Sequence, residues 1–132
     1  MATISFDLVS PEKLLFNDEV GMIIVPGKDG DIGVLPKHSK LLSSLRPGKV
    51  LVFSEDKNLL KSFFVSGGFV EINPEKCILL AEGVNEMDEL DKNTLQQKIQ
   101  ELENNSSENN NDELSIVNAK ISALESTYYE KI

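Results

Sequence analysis

The chain has no tryptophan, one histidine (His38) and one cysteine (Cys77). A single thiol excludes an internal disulfide and is compatible with a reducing compartment. One histidine and one thiol make a poor donor set for zinc, and no metal site is expected. No run of 18 apolar residues occurs, so no membrane-spanning helix is expected. Cations are scarce: 13 Lys+Arg face 22 Asp+Glu, a net charge of −9 over 132 residues. That balance lacks the basic footprint of a nucleic-acid binder, and anionic lipid would repel it too, so direct lipid insertion is not expected. The excess is uneven. Residues 1–85 hold nine Lys/Arg and eleven acids, whereas residues 86–132 hold four lysines and eleven acids. The N-terminus lacks the charged-then-apolar pattern of a secretory signal, because Asp7 interrupts it.

What is present is β-rich at first. Ile4, Phe6 and Leu8 alternate with Ser5 and Asp7, the period of a half-buried strand. Val20 to Val25 (VGMIIV) is apolar and β-branched, as in a strand buried on both faces. Further runs cover Lys49–Phe53, Leu59–Val65, Phe69–Ile72 and Cys77–Ala81. Turn signals fall between runs at Ser10-Pro11, Asn17-Asp18, Asp29-Gly30, Pro47-Gly48, Asp56-Lys57-Asn58 and Asn73-Pro74. Short strands at this spacing imply a sandwich or barrel, and no intervening helical period supports a parallel βαβ sheet.

Gly27 to Gly48, GKDGDIGVLPKHSKLLSSLRPG, concentrates four glycines, two prolines and the histidine. Asp29-Gly30 signals a tight primed hairpin, and Pro36 and Pro47 mark strand ends. The order read from it is hairpin, short strand, exposed Pro-Lys-His loop, strand, turn. In Phe64–Ile72, the Gly67-Gly68 pair interrupts a β run and predicts a bulge or sharp bend.

Near Gly83 the period changes. Leu95, Ile99 and Leu102 share one face of a short helix, with Asp91 as its N-cap. Asn104 to Asn111 reads as a polar loop. A second helix, capped by Asn111 or Asp112, carries Leu114, Val117, Ile121, Leu124 and Tyr128 as a heptad seam flanked by Ala119 and Ala123. The pair predicts an antiparallel αα-hairpin. Burying roughly eight side chains at ~1–2 kcal/mol each barely offsets the backbone entropy of ordering the segment. The hairpin therefore needs a partner surface, either the β domain or another chain.

Catalytic constellations are missing. His38 has only Ser39 beside it, and neighbours on an extended segment point apart. Gly27-x-x-Gly30-x-x-Gly33 is neither phosphate-binding fingerprint, and no helix follows it. Asp29-Gly30-Asp31 lacks the later ligands of a calcium loop. Glu86, Asp88, Glu89 and Asp91 precede a helix, where acids favour its dipole. Cys77 lies in an apolar run that fits a buried, inert thiol. From residues alone the chain is a non-enzymatic, β-rich binding module with a detachable helical hairpin.

GDIGVLPKHSKLLSSLRPGKV followed by FVSGGFVEI resembles the epsilon subunit of the bacterial rotary, proton-translocating ATP synthase. ISFDLVSPEKLLF is similar to that family's first hairpin and ILLAEGVNEMDELD to its last strand and domain junction, so the likeness spans residues 3–91. The resemblance implies a ten-stranded flattened β-sandwich over residues 1–85 and a two-helix domain over residues 86–132. It implies a non-catalytic central-stalk subunit that binds the gamma subunit and the polar loops of the membrane rotor ring. It would couple proton-driven rotation to ATP synthesis in the catalytic head, at the cytoplasmic face of the bacterial inner membrane. The family's ring-contacting acid and histidine match Asp31 and His38. From charge and position, Lys37 and Lys40 add contacts beside them. The C-terminal helices imply an approach to the alpha/beta head and a brake on hydrolysis.

Two features weaken the alternative of a nucleotide-sensing inhibitory regulator. Relatives that bind ATP carry Ile/Leu-Asp-x-x-Arg-Ala. Here Leu90-Asp91-Lys92-Asn93-Thr94-Leu95 keeps Asp91, the cap of this degenerate motif, but has Thr94 for arginine and Leu95 for alanine. The acidic C-terminal segment would also be repelled by an acidic segment of the catalytic subunit. No cofactor is expected. A small β-fold enzyme is disfavoured by the missing triad. The lack of a transit sequence disfavours an imported mitochondrial precursor and leaves an organelle-encoded origin open.

Overall fold

Alternating apolar residues build two packed β layers. The computed structural model describes residues 2–104 and 110–126. The strands are β1 (Ile4–Val9), β2 (Leu14–Val20), β3 (Met22–Gly27), β4 (Gly30–Val34), β5 (Leu41–Leu45), β6 (Gly48–Phe53), β7 (Leu59–Val65), β8 (Gly68–Ile72), β9 (Lys76–Ala81) and β10 (Val84–Glu86). A single 3₁₀ turn, Met87–Glu89, leads to α1 (Lys92–Asn104) and α2 (Asn110–Glu125).

The ten strands form one curled sheet that folds into two layers. The first runs β10-β7-β6-β3-β4 and the second β5-β8-β9-β1-β2. They join where Gly27 of β3 pairs with Leu45 of β5. Every pairing is antiparallel except that of β1 with β9, which is parallel. The core lies between the layers: Phe6, Ile23, Val25, Val50, Phe63, Val70 and Leu79 are all buried within it. Each such side chain contributes ~1.5–3 kcal/mol relative to exposure. The expected β-sandwich followed by a helical hairpin is therefore what the chain forms.

Local readings differ in three places. Asn17-Asp18 is not a turn but lies within β2, where the Asn17 side-chain amide donates to Asp7 of the paired strand at 2.5 Å. VGMIIV splits at Gly21, whose missing side chain admits the Ser54 carbonyl: a Cβ there would lie 2.4 Å from that oxygen. Of the bulge or sharp bend expected at Gly67-Gly68, the structure has the bend: the pair forms the corner between β7 and β8, where the chain crosses layers. Both glycines have positive φ (134° and 135°). Finally, α2 begins at Asn110, so Asn111 and Asp112 lie in its first turn rather than ahead of it. Residues 105–109 of the expected polar loop, and Tyr128 of the expected seam, lie outside the described residues.

The hairpin seam forms as its period predicts. Leu95, Leu102 and Val117 are its buried centre, with Ile99, Leu114, Ile121 and Leu124 packed around them. The other side of α2 lies on the outer face of β6. The sheet residues of that face, Ile24, Leu51, Phe53 and Phe64, would otherwise meet solvent, yet Phe64 is 0% and Leu51 3% exposed. Ala119 and Ala123 allow the close approach, and the Lys120 ammonium lies 5.7 Å from the Phe64 ring centroid. The β domain thus supplies the partner surface the hairpin needs.

Candidate functional site: the β3–β4 hairpin and its flanking loop

Antiparallel pairing places the first candidate residue. Pro26 pairs with Asp31 and Gly27 with Gly30, so the connecting residues are Lys28-Asp29 rather than Asp29-Gly30. Among the described residues only Lys37 and Lys57 are non-glycines with positive φ, so this is not the expected primed turn; Gly30 alone takes the unusual conformation, with φ 148°. Ile32 packs on the core. Strand alternation then puts Asp31 and Gly33 on the outer face, the side that α2 covers.

Asp31 does not stand alone. The Arg46 guanidinium donates through Nη2 to Asp31 Oδ1 at 2.5 Å and through Nη1 to the Gly27 carbonyl, also at 2.5 Å. The Arg46 backbone N–H reaches the Pro26 carbonyl at 3.0 Å. One residue thus clasps the base, turn and acid of the hairpin. Arg46 was not singled out by sequence reasoning, because its partner lies 15 residues away. Its place in the Arg-Pro-Gly corner after an apolar strand was the available signal.

His38 sits beyond the other end of β4. Lys37 takes a left-handed φ of 67° and its N–H donates to the Pro74 carbonyl at 2.9 Å, tying this loop to the β8–β9 turn. The His38 N–H donates to the Leu35 carbonyl at 3.2 Å, and Nδ1 lies 2.6 Å from the Ser39 carbonyl oxygen. His38 is half-buried, whereas Lys37 and Lys40 are exposed. Asp31 lies near the start of β4 and His38 four residues past its end, so the two stand at opposite ends of the strand.

Asp91 immediately precedes α1, and its Oδ1 accepts from the Asn93 N–H at 3.3 Å. The Thr94 hydroxyl donates to Asp91 Oδ2 at 2.8 Å. The residue standing where ATP-binding relatives have arginine thus serves the cap. Cys77 is buried, and burial pushes its thiol up to about 12, with the Asp7 charge adding to the shift. Among the described residues no three His, Cys, Asp or Glu side chains gather as a metal cluster.

Sequence reasoning also missed an apolar row on the outer face of the second layer. Cross-strand pairing aligns Phe69, Leu80, Val9 and Leu14. Phe69 is 55%, Leu80 53% and Leu14 54% exposed, and Leu42, also on this layer, is 71% exposed. An apolar groove of about 230 Å³ runs along the row beside Pro11 and Gly68.

A sandwich with one outer face covered by its own helices and the other apolar and bare defines a class: an assembly subunit that works by contact. Residues 3–86 match the family model for the ATP synthase Delta/Epsilon chain, beta-sandwich domain. The ATP synthase epsilon chain of Rhodospirillum rubrum is 40% identical over 98 residues, covering 74% of this chain and 72% of that protein. That of Bradyrhizobium sp. (strain ORS 278) is 39% identical over 114 residues, covering 86% and 83%. The chain belongs to the ATP synthase epsilon chain family, and is a non-catalytic subunit rather than an enzyme. Its fold is similar to a chain of the Euglena gracilis mitochondrial ATP synthase, with TM-score 0.80, 22% identity, and coverage of 95% of this chain and 81% of that one. A central stalk/c-ring structure of the Tetrahymena thermophila mitochondrial enzyme gives TM-score 0.62 at 17% identity, covering 92% and 96%.

Proposed function

We propose that this chain is a central-stalk subunit whose sandwich couples a gamma-type shaft subunit to the polar loops of the membrane rotor ring. In that role it transmits proton-driven rotation toward ATP synthesis in the catalytic head. The observation that carries the reading is the asymmetry of the two outer faces. Exposed aromatic and aliphatic residues aligned across strands suit a protein partner. The row of Phe69, Leu80 and Leu14 is therefore assigned to the shaft, and the β4 ends, with Asp31 and His38, to the ring. Lys37 and Lys40 are exposed beside His38 and add positive charge there. Residues 1–85 serve as the rotor-binding domain and residues 86–132 as a two-helix domain.

The subunit is peripheral in this reading, on the cytoplasmic face of the bacterial inner membrane. No described helix is long and apolar enough to cross a bilayer. Regulation of hydrolysis is a secondary role of the hairpin, through the alpha/beta head, and a weak one given its acidic charge. Co-purification with a gamma-type coiled-coil subunit tests the reading. Phe69→Asp with Leu80→Asp should abolish shaft binding, while an Asp31/His38 double substitution should spare it and weaken ring binding. Shaft binding that survives both aspartates would overturn the assignment.

A further inference from the structure

The corner between β5 and β6, Arg46-Pro47-Gly48-Lys49, holds two elements at once. Arg46 clasps the β3–β4 hairpin through Asp31, the Gly27 carbonyl and the Pro26 carbonyl. Three residues on, Lys49 Nζ donates to the Ser126 carbonyl at 2.6 Å, just past the last residue of α2. A cation there meets the negative end of the helix dipole. A cavity of about 210 Å³ lies between, lined by Asp31, Arg46 and Lys49 on the sheet side and by Ala123 and Ser126 on the helix side. The ring-facing acid and the C-terminal end of α2 therefore share one wall.

We propose that this corner is a relay: docking of α2 on the sheet and presentation of Asp31 at the β3–β4 hairpin are energetically coupled through Lys49 and Arg46. Lys49 holds the end of α2, and the same short segment fixes Arg46, which holds Asp31. Release of α2 removes one wall of the cavity and one anchor of the corner. Engagement of Asp31 by a partner draws on the Arg46 contact from the opposite side. Linkage makes the effect reciprocal, so a partner on Asp31 must shift α2 docking as much as α2 docking shifts affinity at Asp31. The proposal rests on the reading of Asp31 as a ring contact for its physiological meaning, but the coupling itself belongs to the free subunit.

Hydrogen exchange on the full-length subunit tests it. Lys49→Met should speed exchange over the last turns of α2 and, roughly five-fold or more, at the Lys28 amide, which donates to Ser44 beside the hairpin. Arg46→Lys keeps the charge but loses the fork, and should speed exchange both at Lys28 and in α2. Amides of Val70 and Leu79 in the second layer report that the sandwich remains folded. Effects of Lys49→Met confined to α2, or additive effects in the double variant, would overturn the relay. Asp31→Asn separates the two ideas. Altered α2 exchange with unchanged ring binding supports the relay and sinks the ring assignment, whereas weakened ring binding with unchanged α2 exchange does the reverse.

Discussion

Single residues set the tightest constraints. Gly68 combines φ 135° with a site where a Cβ would lie 2.0 Å from the Leu80 carbonyl oxygen. Backbone strain and overpacking act together there, so Gly68→Ala should cost about 3–4 kcal/mol in denaturant unfolding. Gly30 has φ 148° but open space around it, and Gly30→Ala should cost only about 1–2 kcal/mol. Cys77 gives a pH signature. Its thiol ionises near 9.0 when exposed but near 12 when folded. Between those values the unfolded chain has released a proton that the folded chain retains. Stability should therefore fall with rising pH in that window, by up to about 1.4 kcal/mol per pH unit. Urea midpoints from pH 8 to 11 on wild type and Cys77→Ala check the sign, and the native thiol should resist alkylating reagents. At the acid end, the Asn17 hydrogen bond, helped by Lys76 and opposed by burial, holds Asp7 below its ordinary value. That stabilisation is present above the unfolded carboxylate range and is lost as pH falls.

At the scale of elements, strands and helices were legible where burial imposed a period. β1 and the α1/α2 seam follow apolar spacing closely. Boundaries set by contacts distant in sequence were not. Asn17 and Asp18 carry turn chemistry, yet cross-strand pairing with β1 keeps them in β2. β10 is three residues long and takes its pairing from β7, so it has no period of its own. The candidate site was legible only in part. Asp31 and His38 came from motif resemblance, whereas Arg46 and the Phe69–Leu80 row needed the layer topology to acquire meaning. The cap of α1 was legible because Asp91 acts locally. Asp91→Ala should cost about 1 kcal/mol and lower helicity in circular dichroism, while Asp91→Asn should spare it. With Thr94 serving that cap in place of an arginine, titration calorimetry should detect no micromolar ATP affinity.

For the whole molecule, charge and apolar surface are distributed unevenly. The docked hairpin screens Ile24, Leu51 and Phe64 from water. Ending the chain after Glu86 would bare that face, leaving both sides of the sandwich apolar. The truncated subunit should self-associate, visible as a concentration-dependent rise in light scattering. Its loss should relieve little hydrolysis inhibition in the assembled enzyme, because the acidic segment docks poorly on acidic surfaces. Strong suppression that vanishes on truncation would contradict this.

The parallel pairing of β1 with β9 also governs how the molecule is made. β1 is flanked by β2 and by β9, which is synthesised some 70 residues later. Until Ala81 has emerged, the second layer lacks its middle strand and β1 keeps a raw edge. Closure of the second layer must then await synthesis of β9, and a nascent chain stalled before β9 is the species that a chaperone would have to shield.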